Sequence, residues 1–322
     1  MPFHPTRRHL IALSGAALWM GRAQAETAAL QQIEGQAFAS HWRVAAPAAA
    51  PLAAQRPALE ALLARVDRQM SPWRADSDVT RFNLAAAECA VPAELALVAR
   101  AALDIARDSG GAFDPTVGPL VARWGFGAIS GAEAGRWQGL RAGEAVLAKD
   151  APGLTLDLCG IAKGYALDLM AAHLAAAGID DFLIDLGGEL KSAGHHPSGR
   201  AWQVAVEDPR PGAEGLAAGL ALPDGLAVAT SGLRAQSYAL PGHAYGHIID
   251  PHRGTPVDGA LASVSVLAPT GMSADGWATA LVAAGADGPA LARARGLSAL
   301  FLRLEGGALV PETTGDFATH LL

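Results

Sequence analysis

The chain has 322 residues, of which 51% are apolar and 17% charged, the make-up of a globular protein rather than a disordered one. The apolar share is carried by alanine and so does not indicate a membrane protein. A formal charge of −7 excludes a nucleic-acid binder; any bound phosphate must be held locally, by amides, a metal or a few placed cations.

The first residues read as a targeting segment. Arg7-Arg8 stands directly before an apolar run ending near Met20, and Ala23-Gln24-Ala25 offers a small-x-small cleavage site. The run is too short to cross a bilayer, so no stable membrane anchor is expected. The pattern favours a twin-arginine signal over 1–25, with periplasmic export, above an ordinary secretory signal. One domain is then expected over 26–322. Residues 1–25 hold Arg7, Arg8 and Arg22 and no acid, so their removal takes the net charge from −7 to −10. Cys89 and Cys159 are the only cysteines. Folding before export and the apolar context of Cys159 favour two unpaired thiols.

Residues 45–57 are rich in Ala and Pro and read as an irregular connection. Leu59, Leu62, Leu63, Val66 and Met70 form a helical stripe over 57–70, with proline at its start. A second helix is expected over 92–109, stopped by Gly110-Gly111. Residues 154–158 alternate like a strand, 161–177 are helical up to Gly178, and 182–186 form a buried strand. Beyond Trp202, strand-like runs dominate at 202–207, 216–222, 226–229, 245–249 and 262–268. Helices over 273–284 and near 287–295 follow, and strands at 298–304 and 307–310 close the chain. Regular βαβ alternation is missing, so the pattern predicts an α+β fold rather than a doubly wound sheet.

Four segments carry residue types that chemistry needs. GGAFDPTVGPLVARWGFG (110–127) combines backbone freedom with large aromatics, which suits a flat ring system or simply a loop filling its own core. LDLCGIAKGYALD (156–168) sets Gly160 and then Lys163 at a helix start, resembling a phosphate-cradling turn without P-loop spacing. YGHIIDPHRGTPV (245–257) delivers His247 and Asp250 from a strand; the histidine is either a general base or a satisfied core group. SADGWATAL (273–281) places Asp275 and Thr279 one turn apart on one helix face. One carboxylate and one hydroxyl form a hard-oxygen set that suits Mg²⁺ far better than zinc.

Together and in this order the four segments resemble the ApbE family of FAD:protein FMN transferases, over about residues 34–315. MSPWRADSDVTRFN (70–83), LIDLGGELKSAG (183–194) and ATSG (229–232) add lesser matches. The resemblance implies a mixed, mostly antiparallel sheet with flanking helices in two intimate lobes. It implies FAD as substrate, lined by Trp73, Ala112, Phe113 and Asp114 and contacted by Asp157, Lys163 and Ile249. Mg²⁺ would be held by the Gly160 carbonyl, Asp275 and the Thr279 hydroxyl.

This sequence also departs from the family pattern. Phe38-Ala39-Ser40 replaces an early methionine-glycine-threonine, Ala278 stands where some members carry a further carboxylate, and Leu233-Arg234 follow ATSG. The implied reaction is attack by a Thr or Ser hydroxyl of an acceptor flavoprotein on the FMN phosphorus, with AMP leaving. His247, with Asp250 as runner-up, is the candidate base, and Lys163 the added positive charge. The rival readings are an FAD pyrophosphatase using water and a non-catalytic periplasmic flavin carrier. Twin-arginine export within the family points to NosX-type members and a NosR-like acceptor, with sodium-pumping quinone reductase or Rnf-type subunits as the alternatives.

Overall fold

The computed structural model describes residues 30–322 except 211, 233–236, 241–242 and 258–259, with backbone alone at 237–240 and 243–245. The expected signal segment over 1–25 and the Leu233-Arg234 pair lie outside the described residues.

In chain order the first elements are β1 (Leu30–Ala37), β2 (Ser40–Pro47), α1 (Arg56–Met70), α2 (Asp78–Leu84), β3 (Glu88–Ala90), α3 (Ala93–Asp108) and α4 (Gly118–Arg123). Next come β4 (Leu140–Ala142), β5 (Val146–Lys149), α5 (Ala162–Ala176), β6 (Phe182–Leu186), β7 (Glu189–Ala193), β8 (Trp202–Glu207) and β9 (Leu216–Leu222). β10 (Ala227–Gly232) is followed by four short strands, β11 (Ser237–Leu240), β12 (His243–Gly246), β13 (Ile249–Asp250) and β14 (Thr255–Pro256). The chain ends with β15 (Leu261–Ala268), α6 (Gly271–Ala283), α7 (Gly288–Arg295), β16 (Ser298–Glu305) and β17 (Ala308–Thr314).

Eight strands form one sheet in the order β1-β2-β6-β7-β10-β15-β16-β17, with every neighbouring pair antiparallel. The α+β expectation holds. Strand alternation splits the apolar side chains between two cores. On β16, Ala299 and Phe301 enter one core while Leu300 and Leu302 enter the other. The first core lies under α5 and α6, which pack on each other and on β6, β7, β10 and β15. The second is closed by the β8–β9 hairpin and Phe317. Complete burial of a side chain such as Phe301 or Val264 contributes roughly 1.5–3 kcal/mol.

The helical stripe of α1 is buried as expected, with Leu59, Leu62, Leu63, Val66 and Met70 facing inward. Three expectations need correction. Ala45 to Pro47 belong to β2, not to an irregular connection, because they pair with β1 and, at Ala45, with β6. Residues 154–158 are extended but form no strand; their partners are a side chain and a loop, described below. The expected strand over 245–249 is two strands, β12 and β13, with His247 at the bend between them.

β1 and β2 are joined by Phe38 and Ala39, at φ 52° and 57°. Two successive positive φ values make the tight hairpin turn that ordinarily selects Asn-Gly. A side chain at each costs roughly 1–2 kcal/mol, so the departure noted at Phe38-Ala39-Ser40 is a backbone expense as well as a change of surface.

Candidate active site

The site forms where the first turns of α5 and α6 cross. A Cβ on Gly164 would lie 2.1 Å from the Gly271 carbonyl oxygen, and one on Gly271 would lie 2.6 Å from that of Gly164. Only glycine at both positions lets the helices approach this closely. The approach carries the buried Asp275 to the start of α5, where its Oδ2 accepts the Gly164 N–H at 2.9 Å. A carboxylate at a helix N-terminus is stabilised by the unpaired amides there.

One turn along α6, Thr279 Oγ1 stands 3.5 Å from the Gly160 carbonyl oxygen and 3.3 Å from Ser231 Oγ on β10. Thr279 Oγ1 thus stands beside the Gly160 carbonyl, and Asp275 lies one turn before it on α6. Carboxylate, carbonyl and hydroxyl oxygens fit Mg²⁺, which keeps waters and shares substrate phosphates.

Lys163, on the first turn of α5, pairs with Glu189 Oε1 at 2.6 Å. Glu189 opens β7 and is buried; burial pushes its carboxyl up to about 7 although the Lys163 charge pulls it down. Burial likewise raises Asp275 against the pull of Lys163 and the Gly164 N–H. On Lys163 itself burial works downward, but Glu189 and Asp275 outweigh it and hold the ammonium above its ordinary range. Asp185 on β6, also raised by burial, feels the same lysine.

The segment leading into α5 is held by an unusual partner. Asn83, at the end of α2, donates from Nδ2 to the Leu156 carbonyl at 3.0 Å and accepts the Leu156 N–H on Oδ1 at 2.7 Å. A side-chain amide thus supplies both bonds of a strand neighbour, and Asp157 N–H donates to Pro115 O at 2.7 Å. Asp157 Oδ1 accepts the Cys159 N–H at 2.9 Å, making the turn that ends at Gly160. Burial raises the Asp157 carboxyl. Although Cys159 as a residue is exposed, desolvation of its thiol, with the Asp157 charge, raises it above its usual range. Cys89 and Cys159 are both free thiols, as expected.

The opposite wall comes from the 110–127 segment. A Cβ on Gly160 would touch the Phe113 ring at 3.2 Å, so Phe113 lies against the turn that presents the Gly160 carbonyl. Ala112, Phe113 and Asp114 are all buried. Asp114 Oδ1 accepts the Thr116 amide at 2.7 Å and hydroxyl at 2.6 Å, and burial raises its carboxyl against those bonds. Beside it opens a cavity of about 140 Å³, lined by Gly111, Asp114, Trp137, Gln138, Pro251 and His252.

Trp124 Nε1 donates to Gly254 O at 3.1 Å, tying the first segment to the third. His247 is half-buried, its ring edge-on to Phe126 at 6.4 Å between centroids. Ile249 is buried. Asp250 Oδ1 accepts the His252 and Arg253 amides at 2.9 and 3.2 Å, so its carboxylate is engaged in the β13–β14 turn. Trp73 stands 65% exposed on the link between α1 and α2. Sequence reasoning missed Glu189, Ser231 and Asn83 as site residues, although all three lie in segments singled out for their resemblance.

This architecture is that of solved flavin transferases. The flavin transferase ApbE of Vibrio cholerae superposes with a TM-score of 0.80 at 30% identity, over 91% of this chain and 99% of that one. The apo flavinyl transferase ApbE of Pseudomonas stutzeri gives 0.79 at 32% identity, over 90% and 96%. The chain belongs to the ApbE family, whose profile matches residues 36–301. An FAD:protein FMN transferase of Klebsiella pneumoniae is 34% identical over 314 residues, 90% of this chain and 89% of the relative. One from Salmonella typhimurium is 33% identical over 344 residues, 97% of each.

Proposed function

We propose that this chain is an FAD:protein FMN transferase that uses Mg²⁺ to move FMN onto a Thr or Ser hydroxyl of an exported flavoprotein, releasing AMP. The observation that carries it is the crossing of α5 and α6, which gathers Asp275, Thr279, the Gly160 carbonyl and Lys163. Family membership and relatives of that activity over nearly the whole chain support the reaction. Export rests on Arg7-Arg8, the apolar run and Ala23-Gln24-Ala25. A NosR-like protein is the candidate acceptor.

Bound at the oxygen trio, Mg²⁺ would supply Lewis-acid neutralisation of the pyrophosphate. Lys163 adds a fixed positive charge where negative charge develops on the phosphoryl oxygens. The loop from Ala112 to Asp114, Trp73 and Ile249 bind and orient the flavin dinucleotide, with Asp157 shaping the turn beneath it. His247 accepts the hydroxyl proton as the acceptor oxygen bonds to phosphorus and the bond to AMP breaks, a step worth roughly 10²–10⁴-fold. The Asp250 carboxylate braces the turn that follows.

The experiment is single-turnover transfer from FAD to an acceptor domain, read as covalent flavin fluorescence on a gel. Wild type labels the acceptor and releases AMP. Asp275→Ala loses Mg²⁺-dependent labelling but keeps FAD binding, and His247→Ala loses rate without matching loss of FAD affinity. AMP and free FMN without labelled acceptor would replace the transferase with a pyrophosphatase.

A further inference from the structure

We infer that Glu189 is a positioning residue: it holds the Lys163 ammonium away from Asp275 and so leaves that carboxylate for the divalent cation. The inference rests on the metal site proposed above and adds a residue outside the oxygen trio.

Lys163 is acted on by two buried acids. Its ammonium contacts Glu189 Oε1 at 2.6 Å, while Asp275 is close enough for each charge to act on the other. Asp275 is bonded to the amide of Gly164, the residue next to Lys163. A lysine stem is flexible, and Coulomb attraction strengthens as water is excluded, so Lys163 settles on whichever buried anion is available. With Glu189 present, that anion is Glu189. Its second oxygen, Oε2, is buried and has no hydrogen-bond donor among the described residues, so Lys163 is the compensating partner seen for this carboxylate. Without the Glu189 charge, Asp275 is the anion that acts most strongly on the ammonium, and ammonium and divalent cation then compete for it.

Glu189→Gln tests this with little risk to the fold. The amide keeps the shape and an acceptor for Lys163. The measurement is Mn²⁺ binding by loss of the free-ion electron paramagnetic resonance signal, with FAD present, on wild type, Glu189→Gln, Lys163→Met and the double variant. Glu189→Gln should bind Mn²⁺ about 10- to 100-fold more weakly, the range for partners that act through a ligand. Lys163→Met should bind at least as tightly as wild type, and the double variant should recover most of the loss, because the competing cation is gone. Equal Mn²⁺ affinity in wild type and Glu189→Gln overturns the inference alone. So does a double variant as weak as Glu189→Gln, since that marks a structural role. A wild type that binds no Mn²⁺ overturns the proposed metal site and this inference with it.

Discussion

Lys149 and Lys163 are both drawn into the protein, and the contrast between them separates framework from site. Lys149 Nζ donates to three main-chain carbonyls, Asn83 at 2.9 Å, Pro152 at 3.1 Å and Leu154 at 2.9 Å, and lies 5.2 Å from the centre of the Phe82 ring. Its partners are neutral, and burial lowers its pKa. Lys163 has carboxylates around it, which raise its pKa in spite of burial. Lys149 is buried, whereas the Lys163 side chain keeps about a third of its surface exposed. Burial by itself therefore does not mark a functional lysine. What differs between the two is the charge of their neighbours and their exposure.

Replacing each lysine by an isosteric apolar residue should break the two apart. Lys163→Met should slow transfer at saturating FAD by roughly 10²–10³-fold, the scale for one preorganised electrostatic group. Some stability is lost as well, because the buried Glu189 carboxylate loses its compensating charge, so transfer is read per folded molecule. Transfer within a few-fold of wild type would remove Lys163 from the chemistry.

Lys149→Met should cost stability and spare the transfer step. It leaves carbonyls of Asn83, Pro152 and Leu154 without their donor, a loss of about 1–3 kcal/mol for each group left unsatisfied. Thermal melting should fall by several degrees, while transfer per folded molecule stays within a few-fold. The sign of the pH dependence sharpens the test. Because the folded pKa of Lys149 is depressed, the unfolded chain binds the proton more tightly, and wild type gains stability as pH rises through that folded value toward about 10.4. The Met variant should lack this gain in a melt series across alkaline pH.

The smallest effect is expected where framework touches site. Asn83→Ala removes both side-chain bonds to Leu156 and should cost about 1 kcal/mol or a little more. Transfer should drop by less than about 10-fold, because Asp157 and Gly160 are loosened rather than lost. A drop as deep as that of Lys163→Met would move Asn83 from the framework into the chemistry.

Much of this was legible from local pattern. The stripe of α1, the stop of α3 at Gly110, and the helices that became α5 and α6 all follow from spacing and helix-ending glycines. The 154–158 segment misled because alternation reports an extended chain and not its partner, which here is Asn83. β1 and β2 were missed, since Phe38-Ala39 gives no turn signal although the backbone adopts the turn. Glu189 sat in a quoted segment and went unassigned, because nothing in its neighbourhood in sequence says that it is buried against Lys163.

Sequence by itself determined which residues share a face. Asp275 and Thr279 are one turn apart whatever else happens, and the glycines that end or thin the helices are fixed in the chain. Only tertiary structure decided the pairings. Gly164 and Asp275 are 111 positions apart and Asn83 and Leu156 are 73 apart, so no window of periodicity contains either contact. Those distances close because glycine at 164 and 271 allows two helix backbones to touch, and because burying charges leaves each carboxylate dependent on the donors packing brings to it.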